Sequence, residues 1–246
     1  MMENNWKILT NTLKNYNLSL SDEQLSQFEA YFNFLHEYNQ HTNIVSSADE
    51  KTVIIKHFID SISLNILKEK FHLPDNSKII DIGSGGGFPG VPLIIMNQEW
   101  KLCAVDSIGK KTKFIELLAK KLGVDDRVEI LTARAEELGQ NTAYREKFDI
   151  AVSRAVCQLN TLCEYCLPLV KKDGYFIAYK SKLVNEELKQ SEKAISIIGG
   201  KFIETAPYLL PDEEAVERNL TVIKKIKTTP AQYPRKTGIP KKNPLV

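Results

Sequence analysis

The chain reads as an α/β protein with a doubly wound, mostly parallel sheet, an antiparallel hairpin at one sheet edge, and helices ahead of the first strand. Three observations predict it. From Lys78 onward short apolar runs alternate with amphipathic stretches, the pattern of repeated βαβ units. A glycine-rich turn, "DIGSGGGFPGVP" over residues 81–92, follows the first of these runs. Near the end, "GKFIETAPYLL" and "NLTVIKKIK" are strand-like without a convincing helix between them, which predicts that they pair as a hairpin.

With 246 residues the chain can bury a sizeable core, and its 43% hydrophobic content argues for a globular chain rather than a disordered one. Lys and Arg number 33 against 31 Asp and Glu, so net charge does not announce a nucleic-acid binder and any polyanion site must come from local clustering. The opening "MMENNWKILTNTLKNYN" lacks the apolar run of a secretory signal. Runs such as "VPLIIM" are far short of the roughly 20 residues that span a bilayer. A soluble, cytoplasmic protein is expected, with no membrane partner and a monomer as the default.

Residues 1–70 read as a helical extension. Ser21 and Gln24 make an S-x-x-Q capping box, and Leu25, Phe28, Phe32, Leu35 and Tyr38 recur at helical spacing. A second helix covers "KTVIIKHFIDSISLNIL", where His57 and Asp60 stand i, i+3 and could bond each other. In residues 71–226 the order is strand "KIIDI", helix "VPLIIMN", strand "KLCAVD", helix "KKTKFIELLAKKLG" closed by Gly123, and strand "RVEIL". Strand "KFDIAVS", helix "QLNTLCEYCLPLV", strand "GYFIAYK" and helix "NEELKQSEKAISIIG", closed by Gly199, follow before the hairpin. Residues 227–246 form a basic, proline-containing tail, which prolines should keep extended and available.

Four cysteines are present. Cys163 and Cys166 have metal-knuckle spacing, but no second Cys or His pair stands at a suitable distance, and His36, His41 and His72 show no ligand spacing. Leu162, Cys163, Cys166, Leu167 and Val170 instead form one apolar helical stripe, so Cys163 and Cys166 are expected in the core and no metal is expected. Cys103 and Cys157 need no disulfide in a chain of this size.

The glycine turn admits two adenine-bearing cofactors. Gly85, Gly87 and Gly90 satisfy G-x-G-x-x-G, so an NAD-dependent oxidoreductase is one alternative. Other features favour S-adenosylmethionine. Asp81 stands two residues before Gly83, where a carboxylate can hold an amino group that a pyrophosphate-binding turn has no use for. Asp106, ending "CAVD", is placed to accept ribose hydroxyls, which suits either cofactor. "ARAEEL" after "VEIL" puts Ala135 and Glu136 where an adenine edge would lie, and the terminal hairpin departs from the all-parallel dinucleotide arrangement. Asp81 and Asp106 could also serve only as helix caps.

Beyond the loop, "DIGSGGGFPGVPL", "DSIGKKTKFI", "ARAEEL", "DIAVSRAV", "ERNLTVIKK", "YNQHTNIVSS" and "KHFIDSI" resemble the RsmG family, also called glucose-inhibited division protein B. The resemblance runs from about Tyr38 to Pro244, and "FPG" and "SRA" are its most specific parts. It implies a class I S-adenosylmethionine-dependent methyltransferase fold, Rossmann-like, with a small N-terminal helical extension. It also implies methyl transfer to N7 of a guanosine in small-subunit (16S) ribosomal RNA, free or within the subunit.

Carried over by position, the family's cofactor contacts fall on Gly83, Phe88, Ala135, Glu136 and Arg154, joined by Asp81, Gly85 and Asp106 from the loop reading. Arg134, Arg154 and Arg218 match positions at the cofactor and RNA cleft, and Arg154 is the candidate catalytic residue, since N7 needs no general base. Lys110, Lys111, Lys180, Lys182, Arg235, Lys236, Lys241 and Lys242 are further RNA candidates. Gly86 stands where relatives often carry Pro. A third alternative is a non-catalytic protein that senses S-adenosylmethionine or scaffolds RNA.

Overall fold

The computed structural model describes residues 5–182, 184–212 and 216–246, and it begins with helices. α1 (Asn5–Asn15) precedes α2 (Asp22–Asn39). The Ser21 hydroxyl accepts the Gln24 N–H at 3.2 Å while the Gln24 side chain accepts the Ser21 N–H at 2.9 Å, so the capping box forms as its sequence predicts. A continuous helical run then passes from α3 (Glu50–Thr52) through a π-helical stretch, Val53–Ile59, and α4 (Asp60–Ile62) to a 3-10 turn, Ser63–Leu67. π-Helical turns are frequent at functional sites, and this one carries Lys56 and His57.

The alternating region folds as β1 (Lys78–Ile82), α5 (Gly90–Met96), β2 (Lys101–Asp106), α6 (Gly109–Leu122), β3 (Val128–Thr132), α7 (Ala135–Gln140), β4 (Phe148–Arg154), α8 (Leu159–Cys166), β5 (Val170–Ser181) and α9 (Val184–Ile198). The hairpin is β6 (Gly200–Leu209) and β7 (Glu217–Lys225). Gly123 closes α6 at φ +66°, and Gly199 follows α9 at φ +98°, left-handed positions that favour glycine.

The sheet order is β3-β2-β1-β4-β5-β7-β6. The first five strands are parallel, and β7 enters antiparallel between β5 and β6, so the second hairpin strand is the inner one. The order in which strands are added reverses at β1, whose parallel neighbours are β2 and β4, and such a switch point opens a crevice beyond the strands' carboxyl ends. β6 is the outer edge, with Phe202, Ile203 and Leu209 exposed along it.

Alternate side chains feed two cores, as the two-residue period of a strand requires. On one face Ile79, Leu102, Val152 and Ile177 join Phe114 of α6 and Leu9, Phe28, Tyr31, Leu35 and Phe58 of the N-terminal helices in a single cluster. On the other, Ile80, Cys103, Ala151 and Phe176 pack on Leu138, Leu162, Cys163, Cys166 and Ile198. The apolar stripe of α8 is therefore core, as its spacing predicts.

The tail departs from the extended strip expected of it. It folds back along α7 and α8 and ends in a short helix, α10 (Ile239–Lys242). Arg145 donates to Tyr233 O and Thr229 O, both at 2.7 Å, and Gln140 donates to Pro234 O at 2.7 Å. Pro234 presses on Gly139, where a Cβ would come within 2.6 Å of its ring. Arg235 forms a forked ion pair with Glu164, Nη2 to Oε2 at 2.6 Å and Nε to Oε1 at 2.9 Å. The physical reason is Glu164 itself: its carboxylate is buried on α8 and needs a partner, which the tail supplies from 71 residues away.

Candidate active site

A cleft of about 770 Å³ opens at the carboxyl ends of β1, β2 and β4. Its floor is the glycine turn, where Gly83, Gly85 and Gly87 stand at φ +81°, +57° and +92°. Ser84 staples the turn, donating to Asp81 O at 2.9 Å and accepting the Val105 N–H at 3.0 Å. Beneath it Asp81 is fully buried. Its Oδ2 accepts the N–H of Gly90, the first residue of α5, at 2.9 Å, while Oδ1 has no partner among the described residues. Burial pushes this carboxyl up to about 7, with a smaller push from Asp106, against the Gly90 N–H, Arg154 and the Ser84 hydroxyl, which favour the charged form.

This arrangement discriminates between the two cofactor readings. A dinucleotide needs the amides at a helix N-terminus for its pyrophosphate, but here the Gly90 amide is already bound to a carboxylate. A buried carboxylate oxygen without a donor instead fits an ammonium group. The capping role foreseen for Asp81 is thus filled by Oδ2 alone. Asp106 behaves similarly: Gly85 N–H reaches Oδ2 at 3.0 Å and Ile108 N–H reaches Oδ1 at 2.9 Å, and each oxygen keeps a second lone pair for a hydroxyl donor.

On the far side the β3–α7 junction contributes Arg134, Ala135 and Glu136 to the cleft. Glu136 is 5% exposed, and its Oε1 accepts the Gly238 N–H of the tail at 2.9 Å. Arg134, Glu136 and Tyr165 also line an adjoining hollow of about 440 Å³ with Lys241 and Lys242.

The near wall is built around Arg154 at the end of β4. One guanidinium nitrogen donates to Asp60 Oδ2 at 2.7 Å and to Lys56 O at 3.1 Å, and the other meets His57 Nδ1 at 3.2 Å. Tyr208 from edge strand β6 donates to Asp60 Oδ1 at 2.6 Å, and Tyr179 donates to Ser61 O at 2.6 Å. The His57 and Asp60 side chains therefore do not make the bond that their spacing suggested; only the Asp60 N–H donates to His57 O. The π-helical turn changes that spacing, and Arg154 bridges them. Burial, reinforced by Arg154, holds His57 down at about 3, so the ring is neutral. Phe88 stacks on Tyr31 (centroids 5.1 Å, 6°) and on His57 (4.7 Å, 18°), and the Arg154 guanidinium lies 5.3 Å from its ring centre.

Gly83, Gly85, Phe88, Asp106, Ala135, Glu136 and Arg154 all line the cleft, and Asp81 lies beneath it. Arg134, Arg218 and Lys111 line it too, and Lys110 is exposed on α6 close by. Lys236, Lys182, Lys241 and Lys242 are exposed but do not line this cleft. The two other RNA candidates are ion-paired. Lys180 lines the cleft, is 8% exposed, and donates to Glu187 Oε2 at 2.6 Å and Cys157 O at 2.8 Å. Arg235 is a quarter exposed and paired with Glu164 at 2.6 Å. Sequence reasoning singled out His57 as a partner of Asp60 rather than as a lining residue, and missed Gly238 as a donor to Glu136. "KHFIDS" carried a signal for the first; nothing local marks the second.

Residues 24–211 match the model of the GidB family, described as rRNA small subunit methyltransferase G. The chain is 44% identical over 234 residues to a ribosomal RNA small subunit methyltransferase G of Lactobacillus acidophilus, covering 95% of this chain and 96% of the relative. It is 45% identical over 240 residues to the protein of the same name from Acetivibrio thermocellus, covering 97% and 96%. Among solved structures, an O-methyltransferase from Bacillus cereus in complex with SAH superposes with a TM-score of 0.60 at 15% identity, covering 89% of this chain and 100% of that one. That likeness bears out the class I methyltransferase fold.

Proposed function

The chain belongs to the rRNA small subunit methyltransferase G (GidB) family, and from that premise we propose that it transfers a methyl group from S-adenosylmethionine to N7 of a guanosine in 16S ribosomal RNA. The observation that carries the reading is the convergence of Gly83, Asp106, Glu136 and Arg154, from four strand ends, on one cleft above a buried carboxylate oxygen with no donor. S-adenosylmethionine, when bound, supplies a methyl group on a positively charged sulfur. Asp81 and Asp106 would hold its ammonium and ribose ends, with Ala135 and Glu136 at the adenine.

Guanine N7 has an exposed lone pair and needs no base to remove a proton. The chain's work is then to align two reactants and exclude water, for which orientation alone can contribute several orders of magnitude. Pairing with Asp60 offsets the charge of Arg154. That lowers its repulsion of the cationic donor and of the base as it acquires charge. A flipped or single-stranded guanosine would enter between Arg154 and Arg218, with Arg134, Lys110, Lys111 and Lys236 drawing in the phosphates.

In this reading residues 1–70 supply the near wall, 71–226 the sheet and cleft, and 227–246 a strap over α7. No helix among the described residues is long and apolar enough to cross a membrane, and the cytoplasm, where ribosomal RNA resides, is the compartment that fits.

The deciding experiment is transfer of labelled methyl to small subunits, naked 16S RNA and total protein from cells lacking the enzyme. We expect label in 7-methylguanosine. Cofactor binding without transfer to any RNA would overturn the reading in favour of a non-catalytic sensor.

A further inference from the structure

We infer that His57 reads the target base: its Nε2–H donates to the O6 carbonyl of the guanine whose N7 is methylated, an inference that rests on the function proposed above. Four observations lead to it. Arg154 has donors and no acceptor, so its 3.2 Å contact with Nδ1 obliges Nδ1 to accept and puts the ring's proton on Nε2. Nε2 has no partner among the described residues, is not among the buried unpaired atoms, and belongs to a side chain that lines the cleft. The ring cannot swing freely, because it stacks on Phe88 and is gripped by an arginine that Asp60 anchors. The ring is also neutral, since burial and Arg154 both oppose its protonation.

A neutral, fixed donor suits a carbonyl oxygen. An anionic group such as the methionine carboxylate would be matched by a cation. The chemistry of the base edge supplies the rest. Guanine presents O6 beside N7, both acceptors, whereas adenine presents an amino group beside N7. An adenine in the same pose would set its N–H against the His57 N–H, leaving both donors unpaired. A single donor at O6 therefore selects guanine while leaving the N7 lone pair free to react.

The test pairs a protein change with an atomic change in the RNA. After the labelled position is mapped with the wild-type enzyme, the substrate is rebuilt with 2-aminopurine there, which keeps N7 and lacks O6. The wild type should lose about ten- to a hundredfold in kcat/KM on the altered RNA, the range of one good base contact. His57→Phe, which keeps the stacking but not the donor, should show a similar loss on guanine RNA and no further loss on 2-aminopurine RNA. His57→Gln, which restores an N–H, should recover part of the discrimination. The Kd for S-adenosylmethionine should stay within about twofold in all three proteins, showing that the variants fold and that the cofactor end is untouched.

Losses that multiply in His57→Phe would overturn the inference. So would a cofactor Kd that rises by the factor that transfer falls, which would assign His57 to the cofactor carboxylate. Wild-type enzyme that methylates no guanosine at all would overturn the proposed function itself, and the inference with it.

Discussion

The wall around Arg154 and the wall around Glu136 meet across one cleft but are built by different means. The first is a dense interior: the π-helical turn, Phe88 and Tyr31 share a core with the sheet, and the Asp60 carboxylate anchors Arg154 against it, so its polar groups are fixed from behind the cleft. The second is a six-residue helix, α7, held in place by a strap of chain that returns to it from more than ninety residues later. A wall that is part of the core can set the orientation of a base; a strapped wall can be loosened without unfolding the sheet. Each wall should therefore fail differently.

The largest effect is expected from Arg154→Ala. It removes the bridge between β4 and the helical layer and leaves Asp60 buried without its cation. We expect a loss of about 3–5 kcal/mol in unfolding free energy, and at least a hundredfold loss in single-turnover methyl transfer. Thermal or denaturant unfolding beside rapid-quench kinetics measures both. Near-native stability would show that the two walls are built more alike than the geometry indicates.

Ending the chain after Lys236 targets the strapped wall. It deletes the Gly238 N–H that Glu136 accepts while leaving Arg235 on Glu164. A hydrogen bond to a charged group is worth about 1.5–3 kcal/mol, so cofactor affinity by calorimetry should fall on the order of tenfold. The unfolding midpoint should move far less than in Arg154→Ala. A large midpoint shift would make the strap a structural member of the core.

Between the walls lies Asp81, and pH sharpens its part. Its folded carboxyl binds a proton more tightly than the unfolded one, about 7 against 3.8, so stability without cofactor should decline as pH rises between those values and level off above. An ammonium group at Oδ1 would favour the carboxylate. Binding should therefore release a proton below pH 7, and affinity should weaken up to about tenfold per unit as pH falls. Calorimetry in two buffers of different ionisation heat counts that proton, and an affinity flat with pH would take Asp81 out of the ammonium site. The smallest effect belongs to single exposed cations: Lys110→Ala or Lys236→Ala should each lower the salt slope of RNA binding by about one.

How much of this was legible depends on how local each determinant is. The strands, their order of appearance and the glycine turn were readable, because hydrophobic period and glycine punctuation act within a few residues. The Ser21 box formed as written for the same reason. Asp81, Gly85 and Asp106 could be named from the glycine turn and the strand ends beside it, whereas Phe88 was placed only by the resemblance to the family. What escaped was set by tertiary partners. Nothing local marks Glu187 and the buried Glu164 as the partners of Lys180 and Arg235. His57 and Asp60 were read on an α-helical ruler that the π-helical stretch does not obey.

The outer strand β6 carries a consequence for the protein's behaviour in a crowded cell. It ends the sheet with exposed Phe202, Ile203 and Leu209, the kind of border that invites a neighbour's strand to dock and seed a fibre. Three features blunt it. The ladder slips register between Phe202 and Glu204, Pro207 withholds an amide, and Lys70 pairs with Glu204 at 2.6 Å to set charge beside the strand. Tyr208, which holds Asp60 from this same strand, can thus stay at the border of the molecule without making that border adhesive.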